Sequence, residues 1–104
     1  MTENDEQLLR HKINQETSKI HWSELQRFFA SGLAISVAPE LDLVEVALMF
    51  SVDNKDHVKQ WIEQDKIGPV TDAQARQWLE NDVHVWAVVV KPWILVQHPS
   101  QADG

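Results

Sequence analysis

Apolar positions recur along this chain with two different periods, and each change of period marks a change of element. Leu9, Ile13 and Ile20 fall four and seven residues apart, with Leu8 widening the stripe. That spacing is one face of an α-helix, predicted from Gln7 to about Ser18, with Arg10, Lys12, Gln15, Glu16 and Lys19 on its polar side. Trp22, Leu25, Phe28 and Phe29 give the apolar side of a second helix over Trp22–Ser31. His21 or Ser23 starts it, and Gly32 stands where a left-handed stop belongs. Leu33–Ala38 then alternates large and small residues with period two, the pattern of a half-buried strand, and Pro39 ends it.

Leu41–Ser51 is apolar nearly all round. Asp42 followed by Glu45 three residues later resembles a capping box, so a buried helix is expected, while the valines keep a strand reading open. Asp53 is the expected cap of a clearer helix, Asn54–Asp65, with Val58, Trp61 and Ile62 facing inward. Lys66–Val70 reads as a connector. Thr71 and Gln74 form a capping box opening a helix to about Asn81, with Ala75, Trp78 and Leu79 buried.

The last long apolar stretch, His84–Gln97, is the most β-prone part of the chain, rich in Val and Ile and holding Trp86 and Trp93. Fully extended at about 3.3 Å per residue it would span roughly 46 Å. A chain of this length has a radius of gyration of about 13 Å, so the stretch has to bend. Pro92 lacks an N–H for a ladder and is the natural place. Two antiparallel strands, Val85–Val90 and Trp93–Gln97, are expected, with one strand bulged at Lys91–Pro92 as the alternative. Together these elements predict an α+β domain over residues 1–104, with frayed ends at about 1–6 and 98–104. Four to five helices pack on one face of a small, mostly antiparallel sheet of strands 33–38, 85–90 and 93–97. The five tryptophans are expected to supply much of its core.

Charge and composition mainly exclude. A formal net charge of -7 disfavours nucleic acid, whose binding rests on neutralising phosphates, and anionic membranes. The element order resembles a winged helix, a remote DNA-binding alternative, but Asp72–Glu80, the would-be recognition helix, offers Arg76 as its only cation. No apolar run approaches the roughly 20 residues of a membrane span, and the polar start is unlike a secretory leader, so a cytoplasmic location is expected. The absence of cysteine removes disulfides, thiolate metal sites and a thiol nucleophile. The five histidines include no pair at metal-ligand spacing, and no G-x-S-x-G or glycine-rich phosphate loop is present. Hence no catalytic residue, metal or cofactor is assigned. Glu40, Asp42 and Glu45 could mimic an acid–base pair, yet Asp42 and Glu45 in a first helical turn read more simply as capping.

Trp86, Pro92 and Trp93 carry a second reading beside core packing. Tryptophan is enriched at binding hot spots, and a small sheet leaves edges that another chain can pair with. The expected function is therefore a small acidic interaction or regulatory protein without catalysis, acting on an unidentified protein partner or on itself. A small-ligand binder or enzyme with a site near Asp42, Glu45 and Trp93 is the alternative. Phe28–Gly32, Leu41–Ala47 and above all Trp86–Gln97, where an apolar-Pro-Trp string precedes Leu95-Val96-Gln97, resemble a small bacterial family of uncharacterised proteins, a domain of unknown function, over about residues 8–97. The resemblance implies a stand-alone cytoplasmic bacterial protein and lends no catalytic motif, cofactor or partner.

Overall fold

In the computed structural model, which describes residues 3–98, the chain opens with α1 (Glu3–Glu16) and β1 (Ser18–His21). A 3-10 turn, Trp22–Leu25, leads into the short α2 (Gln26–Ala30), followed by β2 (Ala34–Val37). Next come α3 (Leu43–Ser51), α4 (Lys55–Glu63), β3 (Ile67–Pro69), α5 (Asp72–Glu80), β4 (His84–Val90) and β5 (Trp93–Gln97). The strands form one five-stranded sheet in the order β1-β4-β5-β2-β3. All neighbours are antiparallel except β2 and β5, which run parallel. This is the α+β class expected from the sequence, with one central sheet where a winged helix would carry a small wing. The expected fraying of residues 1–2 and 99–104 concerns positions outside the described residues; from Glu3 the backbone is already helical.

The hairpin reading of the last apolar stretch holds. Val88 faces Leu95 and Val90 faces Trp93 across a turn at Lys91–Pro92, whose peptide bond is cis. Alternation along the pair then sends apolar side chains to both faces. Val85, Ala87, Ile94 and Val96 join a core with Trp22, Leu25, Ala75 and Trp78. Val88 and Leu95 join another with Ile13, Val46, Leu48 and Ile67. A strand pair apolar on both faces has to be covered on both. Helices therefore lie on each side of the sheet, α1, α3 and α4 on one and α2 with α5 on the other, correcting the one-sided packing expected from the sequence.

Three further corrections have local causes. Ile20 continues the helical spacing of Leu9 and Ile13 yet lies in β1, because Thr17 ends α1 by donating its side-chain hydroxyl to the Ile13 carbonyl at 2.8 Å. The connector 66–70 contains β3, an edge strand of three residues, too short to show alternation. Residue 53 does not cap α4. Asn54 does, its side chain accepting from the His57 N–H at 3.1 Å, while Asp53 sits at φ 57 behind α3.

Indeed α2, α3, α4 and α5 all end in one motif. Gly32, Asp53, Asp65 and Asp82 adopt positive φ. In each case the N–H of that residue and of the next return to carbonyls near the helix end, as in Gly32 to Phe29 and Leu33 to Phe28, or Asp53 to Phe50 and Asn54 to Met49. This is the Schellman arrangement, which satisfies carbonyls that a helix terminus leaves open. The start of α3 keeps one half of the expected capping box: Asp42 accepts from the Val44 and Glu45 N–H groups, while the Glu45 side chain pairs with Arg10.

Trp22 is the largest fully buried side chain of the second core. It is wholly buried, donates its indole N–H to the Ala75 carbonyl at 3.1 Å, and meets Trp78 and Phe29 edge-on. Trp22→Ala should cost about 3–5 kcal/mol, as large-to-small changes at closed sites do, read as a lowered urea midpoint. Leu79→Ala, at a residue that was expected inside but is 48% exposed, should shift the midpoint by about 0.5 kcal/mol or less.

Candidate interaction surface

The two tryptophans of the hairpin point to the same face of the sheet but to opposite ends of it. Trp86 and Val90, the partner of Trp93, stand four positions apart along β4, or about 13 Å of strand, and α3 covers the ground between them. Trp86 is 39% exposed. Lys19, its cross-strand partner, holds Nζ 5.5 Å from the ring centroid. Its ring borders a shallow cleft of about 370 Å³ shared with Asn14, Asp42, Val44 and Gln97. Gln97 is held there by donating to the carbonyls of Ala38 and Leu41 at 2.8 and 2.7 Å, which ties the loop before α3 to the end of the sheet.

Trp93 lies at the other end, half-buried in a cleft of about 450 Å³ between α4 and the hairpin turn. Met49 and Phe50, from the C-terminal end of α3, line it, with Val58 and Ile62 of α4 on one wall and Val90 with Trp93 on the other. Val58 and Trp61 satisfy the inward side of α4. Ile62, one residue round the helix, is left 51% exposed beside the cleft, which corrects the expectation that it is core. Pro92 is exposed at the turn.

The rim of this cleft is cationic. Lys55 and Lys59, one turn apart on α4, stand on one wall and Lys91 on the other, against a single carboxylate, Asp53. Lys55 approaches Asp53 at 3.9 Å; Lys59 and Lys91 have no carboxylate within ion-pair distance among the described residues. In a chain of formal charge -7, this is a local reversal of sign. Sequence reading missed it because 36 positions separate Lys55 from Lys91. The available signal was the pairing of Lys55 and Lys59 with Val58 and Ile62 at helical spacing.

Asp42 and Glu45 serve helix geometry. The Asp42 carboxylate accepts from the Val44 N–H at 2.9 Å and the Glu45 N–H at 3.4 Å. Glu45 pairs with Arg10 of α1, which also reaches Glu6. The hydrogen bond that Arg10 donates to Glu45, together with the negative charge of Glu45 and Glu6, holds the guanidinium pKa above its ordinary value. The structure brings Asp42 together with Trp86, not with Trp93, so the expected polar site near Asp42, Glu45 and Trp93 is divided between two clefts. Elsewhere, a cleft of about 360 Å³ with mixed lining adjoins Ser36, Gln74, Trp78 and His98. His21 stands 3.2 Å from Asp82 and against His84 at a strand end. Among the described residues, no group of three or more His, Asp or Glu side chains is placed to hold a metal ion, and no helix is long and apolar enough to cross a membrane.

A sequence-family profile described as a protein of unknown function, DUF2288, matches residues 8–98. A search of curated proteins found no match. Among solved structures, the chain is similar to the NMR solution structure of PA1075 from Pseudomonas aeruginosa. The two share 39% identity, with 90% of this chain and 87% of that one covered, at a TM-score of 0.79.

If Asp42 acts as a cap, Asp42→Ala should lower stability by about 1 kcal/mol and Asp42→Asn by far less, since Asn caps as well as Asp. Chemical denaturation of the two variants beside the parent checks this; equal losses would show that the carboxylate charge matters beyond capping.

Proposed function

The chain belongs to the DUF2288 family, of unknown function, and we propose that it is a small non-enzymatic interaction protein that docks a partner in the lysine-rimmed cleft around Trp93. One observation carries this reading: a half-buried tryptophan and an exposed Ile62 share an open apolar cleft on an otherwise acidic molecule. Aromatic anchors in apolar pockets dominate binding energy at protein interfaces. The cleft is preorganised, because Met49 of α3 is part of the core and Phe50, Val58, Trp61 and Val90 pack against that core. Preorganisation lowers the entropic cost of association.

The competing reading, a ligand or catalytic site near Asp42, Glu45 and Trp93, draws less support. Its carboxylates are engaged in a helix cap and in the Arg10 pair, and its tryptophan lines another cleft. Trp86 contributes a second exposed ring on the same sheet face. The proposed setting is the cytoplasm, as the resemblance to stand-alone bacterial proteins implies.

The test is affinity capture from the host lysate with three baits: the parent, Ile62→Glu in the cleft, and Leu79→Glu on α5 as an exposed control. A stoichiometric protein retained by the parent and the control but lost by Ile62→Glu is the expected result. Equal capture by all three baits would move the interaction away from this cleft.

A further inference from the structure

Resting on the interaction reading above, we infer that the cleft's partner is an acidic amphipathic segment of another protein, its apolar anchors lying against Trp93 and Ile62 and its carboxylates meeting Lys55, Lys59 and Lys91. The cleft complements such a segment in pattern as well as in charge. Val58 and Ile62 form an apolar row on α4, and Lys55 with Lys59 forms a cationic row beside it at the same one-turn spacing. Across the cleft, Val90 and Trp93 bracket Lys91 in the same alternation of apolar and cationic groups. A ligand that fills the apolar floor is thus flanked by ammonium groups from both walls. An amphipathic helix presents that complement, with anchors at i, i+3, i+4 and i+7 and Asp or Glu at its flanks.

The surrounding charge sharpens the choice. Lys59 and Lys91 have no ion-pair partner among the described residues, so carboxylates on a partner would meet cations not already neutralised. The formal charge of -7 would repel an acidic segment from most other parts of the surface, so specificity falls on this patch. Opposed potentials of this kind set encounter rate and register and reject wrong partners. They also make binding sensitive to salt, because exposed charges are screened over about 8–10 Å at physiological ionic strength.

Two synthetic peptides with one apolar stripe in common test this, one bearing Glu at its remaining positions and the other Lys, each titrated into the 15N-labelled full chain. The acidic peptide should shift amide signals of residues 55–62 and 90–93 and weaken with added salt. The exposed double variant Lys59→Glu/Lys91→Glu, checked for an intact amide spectrum, should lose at least about tenfold in affinity for it. That variant should instead gain affinity for the basic peptide. Equal binding of both peptides, shifts centred elsewhere, or no binding by the acidic peptide at millimolar concentration would overturn the inference. So would concentration-dependent self-association of the parent that the double variant abolishes, which would make a second copy the occupant. Using the double variant as a capture bait separates the two proposals. A partner kept by it but lost by Ile62→Glu overturns the acidic segment and leaves the interaction reading standing; a partner kept by both overturns both.

Discussion

Two adjacent strands that are apolar on both faces impose a condition on everything around them. In β4 and β5, Val85, Leu95 and Val96 are fully buried, and Ala87, Val88 and Ile94 are nearly so. Water has to be excluded above and below the pair at once, and a single layer of helices cannot do that. The sequence meets the condition with two separate groups of helices. Helices α1, α3 and α4 close over Val88 and Leu95, and the 3-10 turn with α2 and α5 closes over the other side through Trp22 and Trp78. The weaker edge strands, four residues in β1 and three in β3, complete the sheet at its two sides, and short edges of this kind resist uncontrolled pairing.

With the core so placed, the polar groups near it are largely committed. Asp42 caps α3, Asn54 caps α4, and Thr71 with Gln74 closes a reciprocal capping box on α5. Arg10 joins α1 to α3 through Glu45, and Gln97 holds the preceding loop. These groups do structural work and need no catalytic explanation. The rim of the Trp93 cleft is different: Lys59 and Lys91 hold nothing in place by ion pairing among the described residues. Ile62 is exposed although Val58 and Trp61 on the same amphipathic helix are half-buried against the core. That contrast, rather than any catalytic motif, directs attention to the cleft.

The sequence reveals the fold class, the hairpin and its turn at Pro92, the helix at 43–51 and the capping box at Thr71, each through strong local chemistry. It conceals whatever depends on distant partners. The β3 strand exists because β2 offers it an edge, and Ile20 obeys a helical spacing that Thr17 interrupts. The way these helices stop was hidden as well, although their ends were not, since aspartates at 53, 65 and 82 occupy the left-handed position that a reader expects glycine to mark. The two-sided burial was written in the unbroken run Val85–Val90, but a run of that kind is equally compatible with one buried face and an edge. For the site, Pro92 and Trp93 were legible from their rarity, whereas the lysines around them come together only because α4 and the hairpin turn form opposite walls of one cleft.

One strand pair supports both cores, so neither core should open without it. Native-state amide hydrogen exchange, followed against denaturant, tests this directly. The prediction is that amides of β4 and β5, of Val46–Leu48 in α3, and of the Trp78 turn in α5 exchange with one common free energy equal to that of global unfolding. Exchange of the α5 amides at a clearly lower free energy, with β4 and β5 still protected, would contradict it. The core around Trp22 would then be an independently opening layer rather than half of a single unit.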